Sequence, residues 1–140
     1  MPVTYHIDAA EKIIRTTCSS PITLEQVIEH FHTLKEDPAC RGHLDVVLNV
    51  SEADSPPESS QLGRIKVELA AIREQVQFGT CAIVASRDAM YGMMRVFEVY
   101  SGQYFGIIRV FRGSAEAEAW LASQRAARDA GAKSASSVRA

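Results

Sequence analysis

What this chain lacks narrows its function first. No apolar run approaches the roughly 18 residues that a bilayer crossing needs. The opening Met-Pro-Val-Thr-Tyr-His-Ile-Asp has no basic stretch ahead of an apolar core. Neither membrane insertion nor export is therefore expected, and the reading is a soluble, cytoplasmic protein. An excess of one charge is missing too. A net charge of −2 and a pI near 6.1 give no electrostatic footprint for nucleic acid or an anionic membrane surface. The charge is uneven all the same, with +3 on residues 125–140 and −5 on the rest. Cys18, Cys40 and Cys81 are odd in number and widely spaced, which argues against a disulfide framework and for a reducing compartment.

Reactive chemistry is equally sparse. His30 and His32 lie about 200° apart on a helix and cannot share an ion. Cys40-Arg41-Gly42-His43 has a ligand-like spacing with no second half. No metal and no cofactor are expected. Cys81 sits in a buried-strand pattern, Cys40 has no base that the sequence places beside it, and Glu11, Glu25 and Glu98 fall on solvated faces. No glycine loop is built to cradle phosphate. The chain is expected to work by binding and not as an enzyme.

What is present is a regular alternation of strands and helices. Val3, Tyr5 and Ile7 have the period of a half-buried strand, and Lys12 to Cys18 forms a second, joined through a turn at Asp8 to Glu11. Thr23 and Gln26 are spaced as a capping box. Leu24, Val27, Ile28, Phe31 and Leu34 follow at helical spacing until Asp37-Pro38. Asp45 to Val50 is a short apolar run, as in a strand covered on both faces. A loop from Ser51 to Pro57 leads to a helical stripe at Leu62, Ile65, Leu69, Ile72 and Val76, with Gly79 as its C-cap. Thr80 to Ser86 and Gly106 to Arg112 read as buried strands flanking a helix from Asp88 to Gln103. Ser114 caps a last helix that offers Ala117, Trp120 and Leu121 to the core. Beyond about Ala126 the composition falls to Ala, Ser, Gly and Arg. The expected organisation is one α/β domain over residues 1–124, ββαβαβαβα, with a disordered tail over 125–140. Its sheet is five-stranded and mixed, its first pair antiparallel, with about four helices packed on it.

This order resembles the SpoIIAA-like family of STAS domains, the anti-sigma-factor-antagonist type grouped with the Sec14-like fold. The resemblance rests on Phe-Gly-Thr-Cys-Ala-Ile-Val-Ala (78–85), Tyr-Gly-Met-Met-Arg-Val-Phe-Glu (91–98), Val-Phe-Arg (110–112) and Glu-Ala-Glu-Ala-Trp-Leu (116–121). Ile-Arg-Thr-Thr (14–17) and Leu-Glu-Gln-Val-Ile-Glu-His-Phe (24–31) extend it. The resemblance implies a regulatory module with an unnamed protein partner. It also implies a phosphorylatable serine at Ser60, with Ser59 beside it, in Glu58-Ser59-Ser60-Gln61-Leu62-Gly63. Glu58 stands where the family has aspartate, and Gln61 where it has the first glycine.

Two further candidate regions come from the residues themselves. Met90, Met93, Met94, Phe97, Tyr100 and Tyr104, widened by Val96 and Val99, give one helix an apolar face suited to core packing, a second copy of the chain or a small apolar ligand. A homodimer through this helix is the expectation. Ser51, Asp54, Ser86, Arg87 and Arg112 should gather at the carboxyl ends of the parallel strands, where open sheets bind ligands. The leading expectation is a regulatory interaction module. The alternatives are a carrier or sensor of an apolar ligand, as the Sec14-like relation allows, and an enzyme whose residues assemble only in space.

Overall fold

In the computed structural model the first alternation pairs as a hairpin, β1 (Val3–Asp8) running antiparallel to β2 (Ile13–Ser19) with Val3 opposite Cys18. The Asp8 carboxylate accepts from the amides of Ala10 and Glu11, both at 3.0 Å, which closes the turn. Lys12 completes it at φ 58°. The structure describes residues 3–19, 22–53 and 58–139, with backbone alone at 59 and 132–139.

After the hairpin, strands and helices alternate: α1 (Leu24–Glu36), β3 (Gly42–Glu52), α2 (Ser59–Ile72), β4 (Val76–Val84), α3 (Asp88–Ser101), a single 3-10 turn (Gly102–Tyr104), β5 (Phe105–Phe111) and α4 (Ser114–Arg139). The sheet order is β1-β2-β3-β4-β5, and every pair after the first is parallel. This is the mixed five-stranded α/β architecture that the sequence pattern predicts.

The order also decides which face each helix covers. Each crossover from β2 to β5 moves to the adjacent strand in one direction, and right-handed crossovers then place α1, α2 and α3 on one side. The opposite face belongs to α4. Ala117 packs there with Ala82 and Val84, and Leu121 with Ile13 and Val47. Ile14, Cys81 and Ile83, one residue out of step on the same strands, join the larger core under α1–α3.

Two expectations are corrected. Helix α2 stops at Ile72, so Val76 opens β4 and Gly79 lies inside that strand instead of capping the helix. A Cβ at Gly79 would stand about 2.5 Å from His43 Nε2 and Asp45 Oδ1 on neighbouring β3, so the glycine serves close approach. Beyond Arg125 the chain is described as helix to Arg139. Alanine favours the helix, and Arg125 and Arg128 anchor it to β3.

Candidate functional site

Val46 and Leu48 lie in the middle of the central strand, with a neighbour on either side and helices above. Side chains at such positions are ordinarily sealed. Both are nevertheless only half-buried, whereas Val47, which faces α4, is 6% exposed. The difference is a cavity of about 420 Å³ between the sheet and the layer of α1, α2 and α3.

The walls come from every element on that side. Ile14, Thr16 and Cys18 of β2, Val46, Leu48 and Val50 of β3, and Phe78 and Cys81 of β4 form its floor. Phe105 closes the β5 side, stacked on Phe78 with ring centroids 5.7 Å apart. The roof is Val27, His30 and Phe31 of α1, Leu62, Ile65 and Leu69 of α2, and Met90, Met94 and Phe97 of α3. These roof residues follow helical spacing because only one stripe of each helix faces the sheet. Thr23 and Glu58 are exposed members of the lining at the N-terminal ends of α1 and α2, so the cavity reaches solvent there. No lysine or arginine lines it among the described residues.

Interiors pack as densely as organic crystals, with few voids larger than a water molecule. A space of about 420 Å³ is far larger than the voids a packed interior leaves. Water is a poor filler, because an apolar wall offers it too few partners.

The lining carries little reactivity. Burial raises the Cys18 thiol to about 11 and pushes the Cys81 thiol higher still. Both remain protonated and inert. Burial also lowers His30 to about 4, so its imidazole is neutral near pH 7.

The opposite face holds a charged cluster. Asp45 is fully buried, and its carboxylate accepts from Arg125 at 2.6 Å, from Arg128 at 2.8 and 3.2 Å, and from the Thr80 amide at 2.9 Å. Burial alone would raise its pKa; the Arg128 hydrogen bond, the Thr80 amide and the neighbouring guanidinium charges outweigh it and hold the group at about 2. Arg15 pairs with Glu118 at 2.8 Å further along. All these acids are occupied by cations of the chain itself, and the cluster fastens α4 to the sheet. Among the described residues no three His, Cys, Asp or Glu side chains gather as a metal site.

The structure divides the methionine-rich helix. Met90, Met94 and Phe97 point into the cavity, and Met93 and Tyr104 are half-buried, the latter beneath the Arg73 guanidinium at 5.3 Å. Val96, Val99 and Tyr100 are exposed, Val99 at 81%. Ser60 is exposed in the first turn of α2, and nothing is described of the Ser59 side chain. Gln61 completes that turn by accepting from the Glu58 amide at 3.0 Å. At the strand-end rim, Arg87 donates to the Ala53 carbonyl at 3.2 Å, while Arg112 pairs with Asp88 at 2.5 Å, reaches the Ser86 carbonyl and lies over the Tyr91 ring. The Ser51 amide donates to Asn49. Asp54 lies outside the described residues. Ligand crevices at strand ends open where strand order reverses. Here the order never reverses, and the rim is stitched by its own side chains.

Sequence reasoning missed Thr16 and His30 as lining, and Asp45 as an anchor. A carboxylate opening an apolar run, and arginines three residues apart on a helix, were signals for the anchor. No sequence signal marks empty space. Fold and site together define an α/β domain with an internal apolar cavity. The chain matches no protein-family model and no curated protein. Among the described residues no helix is long and apolar enough to cross a membrane.

Proposed function

We propose that this protein binds a small, predominantly apolar molecule beneath α1, α2 and α3, as a carrier or sensor, without transforming it. One observation carries the reading: an apolar space of about 420 Å³ where a core should be solid. The volume lies within the roughly 300–1,000 Å³ of small-molecule sites. It is also nearly three times the ~150 Å³ that accommodates one benzene, which suggests roughly 15–20 non-hydrogen atoms. The Sec14-like side of the family resemblance points the same way, and the three buried, unpaired thiols suit a reducing cytoplasm.

A second reading, a homodimeric regulatory module of STAS type, is favoured by Val96, Val99 and Tyr100 on the outer side of α3. Native mass spectrometry of protein purified from its own host addresses both. Extra mass that disappears on denaturation is expected. A bare chain that also fails to take up an apolar dye would overturn the cavity reading. Assemblies of twice the chain mass would support the second copy.

A further inference from the structure

We infer that the cavity selects an uncharged amphiphile, an apolar body ending in a hydroxyl or carbonyl group, and that Thr16 and His30 recognise that polar end. The inference rests on the cavity being a ligand site and concerns what it takes.

Elimination isolates the pair. Of the polar side chains in the lining, Thr23 accepts from the Gln26 amide and Gln61 accepts from the Glu58 amide, while Glu58 itself stands at the solvent end. Thr16 and His30 lie deeper. Among the described residues, neither the Thr16 hydroxyl nor either His30 ring nitrogen has a hydrogen-bond partner. Thr16 is only 6% exposed. Among the described residues, no fully occluded side-chain nitrogen or oxygen lacks a partner, so the hydroxyl keeps an open side. Alternation puts Thr16 on the same face as Ile14 and Cys18, and that open side meets the cavity.

The two groups also share a neighbourhood. Tyr5 is the cross-strand partner of Thr16, and its ring meets the His30 ring edge-on at 5.4 Å. The Tyr5 hydroxyl is unavailable, because it donates to Asp37 at 2.6 Å. His30 lies seven residues beyond Thr23, about 10 Å along the helix from the solvent end. The rest of the cavity runs across the strands toward Phe97 and Phe105, three strand spacings away, about 14 Å.

The Thr16 hydroxyl and the His30 ring nitrogens, engaged by no protein group among the described residues, are left to pair with a ligand. A hydroxyl and a neutral imidazole can each donate and accept, which matches an alcohol or a carbonyl. They do not match an anion. With no cation in the lining, a carboxylate would be desolvated without compensation.

The test is displacement of a neutral apolar dye, N-phenyl-1-naphthylamine, at pH 8 by 1-tetradecanol, tetradecane and tetradecanoate. Tetradecanol should bind roughly tenfold or more tightly than either of the others. Thr16→Val and His30→Phe should each shrink the ratio of tetradecanol to tetradecane affinity, with an unchanged far-UV circular dichroism spectrum showing that the variants fold. Equal displacement by alcohol and alkane, tightest binding by tetradecanoate, or a preference that survives both variants would overturn the inference while leaving the cavity reading standing. A dye that never enters would overturn both.

Discussion

At the scale of single residues, a hollow core reverses the usual rule about large side chains. Adding bulk to a packed interior typically costs about 1–3 kcal/mol through strain. Met94 is 5% exposed and faces free volume, so Met94→Trp should leave the melting temperature unchanged or raised and should abolish apolar dye uptake. A fall in melting temperature with uptake retained would mean that the side chain meets solid packing. His30 makes a separate prediction in pH. Its ordinary value of 6.5 falls to about 4 on burial, so between these limits the unfolded chain binds more protons. Stability is therefore complete above pH 6.5 and drops by up to roughly 3 kcal/mol as pH falls toward 4. His30→Phe should flatten that slope in urea titrations at several pH values. Asp45 acts in a lower window, losing its contribution as pH falls from 3.8 toward 2.

At the scale of elements, α4 is fastened by ion pairs to Asp45 as well as by the apolar contacts of Ala117 and Leu121. Truncation after Gln124 would remove Arg125 and Arg128, the two guanidinium partners of the Asp45 carboxylate. Breaking a buried pair from one side costs about 3–5 kcal/mol, so the truncated chain should unfold at markedly lower urea, whereas an expendable tail would leave the midpoint unmoved. The tail also marks where the sequence was legible. Local rules found the hairpin, the Thr23–Gln26 capping box, whose two bonds measure 3.2 and 2.8 Å, and the stripe from Leu62 to Ile72, because each depends on neighbours a few positions away. The anchoring of the tail depends on Asp45, eighty residues before Arg125 and beyond the reach of local rules. Gly79 failed for a related reason: its neighbours His43 and Asp45 belong to another strand. The cavity was least legible of all. Each residue around it looks like core, and only their joint placement leaves room between them.

At the scale of the whole molecule, the uninterrupted strand order makes the sheet two-sided. One face carries three helices around a void, and the other carries one helix on a solid, ionically fastened contact. The single tryptophan belongs to the solid side, where Trp120 packs against Phe111 with ring centroids 5.3 Å apart. A full sheet thickness separates it from anything held beneath α1–α3. Intrinsic fluorescence, the most convenient optical assay for a protein of this size, is thus blind to polarity changes in the chamber. An emission spectrum that stays still while an apolar compound is added is what a filling chamber gives. The same spectrum reports at once when α4 comes away.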